Sequence, residues 1–202
     1  MLDVRNVTLQ FGGRVLFKDV NVSFTPGNCY GIIGANGAGK STFLRILSGD
    51  LEPNKGDVVL GSHQRMSVLR QNQNAFDHLS ALETVLEGHT RLMEVAREKD
   101  ALYMKEDFSD ADGIRAGELE EEYMEMNGYQ AESDAESLLN SLNIKGDKQQ
   151  ALMGQLDAKD KVKVLLAQAL FGNPDILVLD EPTNNLDAVA TRWLENFLYN
   201  FD

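Results

Sequence analysis

The sequence predicts an α/β domain with a helical insert, and three observations carry that prediction. Between Cys29 and Leu47 a short apolar run, a glycine-rich loop and a helical segment follow one another. Far down the chain, the apolar run Ile176-Leu177-Val178-Leu179 closes on two carboxylates, Asp180 and Glu181. Between them, residues 80–143 carry helical periodicity and most of the negative charge. Short apolar runs bounded by loops and followed by helices read as buried parallel strands with helices packed on them.

Composition sets the limits. The chain has 202 residues, 43% of them hydrophobic, enough for one good-sized domain or a domain with a subdomain. No stretch approaches the roughly 18 apolar residues of a membrane span. Met1-Leu2-Asp3-Val4-Arg5 lacks the basic and apolar regions of a signal peptide. The one cysteine, Cys29, excludes a disulfide framework and makes the cytoplasm the natural setting. It falls in the apolar run and is expected to be a small core residue. The net charge, 19 − 32 = −13, does not suit a general nucleic-acid binder. It is concentrated: Val85 to Asn140 holds 16 acidic and 5 basic residues, −11 of the total.

Taken in order, residues 1–30 read as short strands. Leu2, Val4, Val7 and Leu9 alternate loosely, Val15-Leu16-Phe17 forms a second strand, and Val20, Val22 and Phe24 alternate before Pro26-Gly27. Phe11-Gly12-Gly13-Arg14 reads as a hairpin tip. Phe11 is either a hydrophobic plug for the small sheet or a platform for a nucleobase, and the loop that follows favours the platform. Cys29-Tyr30-Gly31-Ile32-Ile33 reads as a buried parallel strand, and Ser41 to Leu47 as a helix that stops near Ser48-Gly49-Asp50. Pro53 and Gly56 mark a turn; Val58-Val59-Leu60 and Arg65 to Leu69 are two further strands, with Gln71 after them and Gln73 a weaker candidate for the same role. Ser80 and Glu83 make a capping box for a helix running to about Met104. A break at Phe108-Ser109-Asp110 precedes a second helix with Ile114, Leu119, Tyr123 and Met126 on one side, ended by Asn127-Gly128. A third carries Ala131, Ala135, Leu138, Leu139 and Leu142. Residues 156–171 form another helix, N-capped by Asp157 with Asp160 completing an unusual box, and stopped by Gly172 and Pro174.

Gly34-Ala35-Asn36-Gly37-Ala38-Gly39-Lys40-Ser41 fits G-x-x-x-x-G-K-[ST], a phosphate-binding loop. Glycines let successive backbone N–H groups turn inward onto phosphate oxygens. The following helix adds its positive end. Lys40 supplies a mobile charge for β- and γ-phosphates, and Ser41 offers a hydroxyl to Mg²⁺. A glycine-rich turn with no ligand would explain the loop alone. Asp180 and Glu181 answer it from 140 residues downstream of Lys40. This Walker B pattern places Asp180 to complete the Mg²⁺ site, and Glu181 to orient and polarise an attacking water.

With Pro182-Thr183-Asn184-Asn185-Leu186-Asp187 behind it, the chain resembles an ATP-binding cassette over nearly its whole length. The two asparagines before Leu-Asp, Ala167-Gln168-Ala169-Leu170-Phe171 and the helical insert resemble the ABC-F family, in particular the first cassette of its YbiT-type members. The resemblance implies an ABC ATPase of the P-loop NTPase class, with an N-terminal antiparallel β subdomain, a helical arm and its C-terminal strands missing. Its parts would be 1–79, 80–143 and 144–202 of one partial domain. It implies that Phe11 stacks on adenine and that Gly34, Asn36, Gly37, Ala38, Gly39, Lys40, Ser41 and Thr42 hold ATP. Gln71 would sense Mg²⁺ and the γ-phosphate, Asp180 would join Ser41 and Gln71 at the metal, Glu181 would be catalytic, and Asp187 would face an opposing cassette. It implies further a parent with a second cassette, cytoplasmic, acting on the ribosome or tRNA.

Two departures qualify this. Leu156-Asp157-Ala158-Lys159-Asp160 stands where the family has Leu-Ser-Gly-Gly-Gln, so the composite site using it is expected to be impaired. No histidine follows Glu181, although the family has a switch histidine roughly 30 residues on; His63, His78 and His89 all precede it and read as surface or core residues. The expectation is a fragment of a longer protein, with little ATPase activity alone and a gap in its central sheet. The alternatives are the nucleotide-binding subunit of a membrane transporter and a catalytically incomplete nucleotide binder.

Overall fold

Strand β1 (Leu2–Phe11) and β2 (Arg14–Phe24) form a hairpin because Gly12 and Gly13 both take positive φ at its tip, the backbone of a tight two-residue turn. A computed structural model describes residues 1–69 and 72–201; Gln71 lies outside them. The two strands expected between Val15 and Phe24 are one, bent where Asp19 takes φ 51 and the Thr8 hydroxyl accepts from its N–H. Asn6, also at φ 51, shifts the β1 register between Val4 and Val7. That bulge is why Leu2, Val4, Val7 and Leu9 alternate only loosely yet all point inward. After helix α1 (Lys40–Leu47), β3 (Lys55–Leu60) pairs with β1 to complete a sheet of order β2-β1-β3. Ile46 and Leu47 of α1 close the core over β1.

Strand β4 (Met66–Val68) pairs in parallel with a distant strand, β5 (Ile176–Val178), in register Met66↔Ile176 to Val68↔Val178. The Asp175 carboxylate accepts from the Arg65 N–H at 2.7 Å and fixes the entry. The run Cys29 to Ile33 does not become a strand. Its backbone is irregular, Cys29 and Tyr30 are exposed, and Ile33 is 93% exposed. The reason is physical: β4 and β5 pair with each other, and among the described residues no strand lies beside the run to accept its hydrogen bonds. Local contacts hold it instead. Tyr30 packs edge-to-face on Phe24 at 5.0 Å, and its hydroxyl accepts from the Thr25 N–H. Cys29 is therefore a surface residue rather than a core one.

The described chain divides into two compact units. One holds residues 1–71, 174–184 and 194–202; the other holds 72–173 and 185–193. The second is helical: α2 (Ala81–Leu86), α3 (Thr90–Tyr103), α4 (Asp110–Glu125), α5 (Ala131–Ser141), a one-turn α6 (Asp147–Gln150) and α7 (Ala158–Leu170). The final helix, α8, spans Ala188–Tyr199. Among the described residues no helix is long and apolar enough to cross a membrane.

The Ser80–Glu83 capping box is present, but the helix it starts ends at Leu86. Gly88 breaks it: a Cβ there would stand 2.0 Å from the Gln168 carbonyl oxygen, so α7 runs against bare backbone. His89 then starts α3, its Nδ1 accepting from the Leu92 N–H at 3.2 Å. Ser109 and Asp112 form a second capping box for α4. Leu119, Tyr123 and Met126 pack against Val95 and Leu102 of α3, but Ile114 faces away, 68% exposed. Asp157 caps α7 as expected, accepting from the Asp160 N–H at 2.9 Å; the Asp160 carboxylate does not complete a box but accepts from Lys148.

Gly88→Ala should destabilise the fold by about 1–3 kcal/mol through overpacking. Gly117→Ala, in open space within α4, should stabilise it by about 0.5–1 kcal/mol. Urea denaturation followed by helical circular dichroism checks both signs.

Candidate functional site

Helix α1 begins on a glycine. Gly39 occupies its N-cap at φ 99, ψ 12, a left-handed backbone that a side chain resists, and no side chain caps the helix. No acidic residue lies in its first turn. The amides at its start are therefore left to an outside acceptor. Gly37 takes φ 77, and a turn closed by Ala38 N–H to the Ala35 carbonyl at 3.1 Å curls the loop. Lys40 folds back across it, donating to the carbonyls of Gly34 at 2.9 Å and Ala35 at 3.1 Å. A lysine whose ammonium rests on loop carbonyls can swing to a phosphate at small cost, since it exchanges neutral acceptors for charged ones. A Cβ added at Gly39 would meet Phe17 and Leu16 of β2 at 3.6 and 3.7 Å, ordinary contact distance.

The same unit holds the two carboxylates. Strand β5 ends at Val178, and Asp180 and Glu181 follow at its C-terminal edge. Glu181 takes φ 47, a strained backbone for a non-glycine residue, costing about 1–3 kcal/mol. The turn is held by Asn184, whose N–H reaches the Glu181 carbonyl at 3.0 Å and whose side-chain amide donates to the Glu181 carboxylate. Sequence reasoning missed this bond; an asparagine three residues after a turn carboxylate was its only signal. Phe11, at the β1–β2 tip, is 54% exposed, so it plugs nothing and its ring faces solvent. ATP fits the loop on these observations: amides without a side-chain cap, left-handed glycines and a lysine resting on neutral carbonyls. Ser41 and Asp180 offer hard oxygen donors, as Mg²⁺ prefers; it commonly takes one or two protein ligands beside phosphate oxygens. Among the described residues no group of three His, Cys, Asp or Glu is placed to hold a metal.

The sequence profile of the family described as "ABC transporter" matches residues 17–184. The chain belongs to that family. A relative in Bacillus subtilis, "Uncharacterized ABC transporter ATP-binding protein YkpA", is 58% identical over 202 residues; "Probable ATP-binding protein YbiT" of Escherichia coli O157:H7 is 50% identical over 198. The alignments cover 100% and 98% of this chain but 37% of either relative, so the chain spans little more than a third of their length. "ATP-binding cassette sub-family F member 3" of Rattus norvegicus is 34% identical over 199 residues, 96% of this chain and 27% of the relative, which bears out the ABC-F resemblance. A solved structure, "Dimeric Structure of MJ0796, a Bacterial ABC Transporter Cassette", superposes with TM-score 0.69 at 22% identity, over 98% of this chain and 81% of that one, and shows the fold.

In the helical unit, the stretch Leu156 to Asp160 is ordered as a helix start. The Asp157 carboxylate occupies the α7 N-terminus, and the backbone amides it accepts from hold its pKa below the usual carboxylate range. Asp187 is tied down twice: it accepts from the Ala190 N–H at 2.8 Å, starting α8, and from Lys163 of α7 at 2.6 Å. The Lys163 side chain is only 8% exposed. A lysine between Val162 and Val164 on an apolar helix was a readable sign that a carboxylate must meet it.

Asp187→Ala strands the buried Lys163 charge and should cost about 2 kcal/mol at neutral pH. The Lys163 bond lowers the Asp187 pKa from 3.8. A depressed carboxylate stabilises the fold above its unfolded pKa and loses that effect as pH falls through the folded one. The variant and the parent chain should therefore converge in stability well below pH ~4, as urea titrations across pH would record.

Proposed function

We propose that this cassette binds MgATP on the loop Gly34 to Thr42. The observation that carries the reading is the uncapped start of α1, with left-handed Gly37 and Gly39, in the same unit as Asp180 and Glu181. The loop amides hold the phosphates, with Asn36 and Ala38 lending backbone. Lys40 leaves the Gly34 and Ala35 carbonyls for the β- and γ-phosphate oxygens. Phe11 stacks on the base. Ser41, Asp180 and Gln71 would hold Mg²⁺, which when bound neutralises phosphate charge. Glu181 accepts a hydrogen bond from the attacking water and polarises it toward the γ-phosphorus, with Asn184 orienting the carboxylate.

The longer protein, on this reading, hydrolyses ATP between this loop and a second cassette, with Asp187 facing that cassette, and works on the ribosome in the cytoplasm. The supporting observation is the likeness to "Energy-dependent translational throttle protein EttA" of Mycobacterium tuberculosis, 31% identical over 205 residues, and to the sub-family F relatives. The transporter alternative draws on the family description, on the printed name of the Bacillus subtilis relative and on fold likeness below 25% identity. Alone, the chain is expected to turn over little ATP, because the opposing half of the site comes from the second cassette.

Calorimetry should show MgATP binding to the chain. Lys40→Ala should weaken it about a hundredfold and Phe11→Ala up to about tenfold, while Glu181→Gln should leave it unchanged. Equal binding by the parent chain and Lys40→Ala, or binding by neither, would overturn the site.

A further inference from the structure

The β1–β2 tip carries a cation that the nucleotide site has not yet used. Arg14 is the cross-strand partner of Phe11 across the Gly12-Gly13 turn. The register gives the face they share. Leu9 is buried in the core, and its partner Phe17 packs against that core. Leu16 bulges out of the pairing, so the next pair is Gln10 with Val15, and the one after it is Phe11 with Arg14. Side chains alternate between the two faces pair by pair, which returns Phe11 and Arg14 to the side of Leu9 and Phe17. Helix α1 lies on that side, where the Phe17 ring meets Phe43 edge-to-face at 5.5 Å. So does the start of that helix: a Cβ at Gly39 would stand 3.6 Å from the Phe17 ring.

Arg14 is exposed, and among the described residues it has no hydrogen-bond or ion-pair partner. Other cations of the hairpin and the loop are in contact: Arg5 with Asp3, Lys18 with Asp19, and Lys40 with two carbonyls. With a net charge of −13, carboxylates are plentiful in this chain, yet none meets the guanidinium at the tip. A guanidinium presents a planar fork of donors that fits phosphate oxygens in pairs. Three residues of strand separate Arg14 from Phe17, about 10 Å. That stretch runs from the base platform, Phe11, to the edge of the phosphate-binding loop. It is the path of the ribose and the first phosphate of a nucleotide seated on both.

We infer that Arg14 is a further nucleotide-binding residue, meeting the α-phosphate of a nucleotide whose base stacks on Phe11. The inference rests on the MgATP reading of the loop. It divides the labour at the hairpin tip: one member of the last cross-strand pair holds the base by its ring, and the other holds the nearest phosphate by charge. Diphosphate and triphosphate are gripped alike by Arg14, since both carry the α-phosphate, and Lys40 is left to the β- and γ-phosphates.

Calorimetry on the whole chain with two probes, MgATP and magnesium tripolyphosphate, tests it. Tripolyphosphate keeps the phosphate chain and lacks the base and ribose. Arg14→Gln should weaken both about tenfold. Arg14→Lys should recover part of that loss, restoring the charge without the fork. Phe11→Ala should weaken MgATP alone. Lys18→Gln, next to Phe17 and so on the opposite face of β2, should change neither. If Arg14→Gln binds MgATP as the parent chain does while Lys40→Ala is weakened, the Arg14 assignment is overturned and the loop reading stands. A loss confined to MgATP puts Arg14 on the base, and that outcome, or a parent chain that binds MgATP but not tripolyphosphate, overturns the assignment as well. If the parent chain binds neither probe, the loop reading falls and Arg14 falls with it.

Discussion

The first amides of every α-helix need acceptors, and how each helix meets that need organises this molecule. Ser80, His89, Ser109 and Asp157 cap α2, α3, α4 and α7 with their own side chains, and Asp187 accepts from the first turn of α8. Helix α5 is led in by a 3₁₀ turn at Gly128–Gln130. Helix α1 has neither device. Its N-cap is Gly39, without a side chain, and its loop bends away on left-handed glycines. Among the described helices longer than one turn, α1 alone has neither a side-chain cap nor a leading turn at its start, and that start bears a lysine resting on loop carbonyls.

Ion pairing follows a similar economy. Helix α7 is buried nearly all round, yet it carries Lys161 and Lys163 into the interior. Each reaches a carboxylate from outside the helix: Lys161 meets Asp77 at 2.6 Å, and Lys163 meets Asp187 at 2.6 Å. Buried cations of this kind give little net stability, but they fix register, because a slip would leave a charge unpaired. Here they tie the loops around Asp77 and Asp187 to one helix. In the α3–α4 hairpin the same chemistry works mostly at the surface, where a pair contributes little, Lys99 with Glu120 being a buried exception. Its main effect there is to use up the positive charge.

Much of this was legible in the sequence, because local rules held. The glycine loop, the Asp-Glu pair, the hairpin tip, the caps at Ser80 and Asp157 and the third insert helix all depend on neighbours within a few residues. Two of the misreadings come from a partner distant in sequence. Cys29 to Ile33 has the apolar content of a strand, but a strand exists only beside another, and β5 found β4 instead. The helix from Ser80 breaks because α7 needs bare backbone at Gly88, 80 residues before Gln168. Ile114 fits a helical stripe, yet the stripe turns outward at the hairpin end. Asp160 has the spacing of a box but is claimed by Lys148.

The irregular stretch Leu156 to Asp160 takes its meaning from the same rule about helix starts. A glycine-rich segment at the head of α7 would leave its amides open, as Gly39 leaves those of α1. Asp157 instead places a carboxylate on them, hydrogen-bonded at 2.9 Å and held ionised by that bond. An anion approaching this helix start would have to displace a resident one of like charge, whereas an anion approaching α1 meets a lysine whose ammonium rests on two neutral carbonyls. The two helix starts are therefore chemically unequal: one has no side-chain cap and no acidic residue in its first turn, and the other already carries its own negative group.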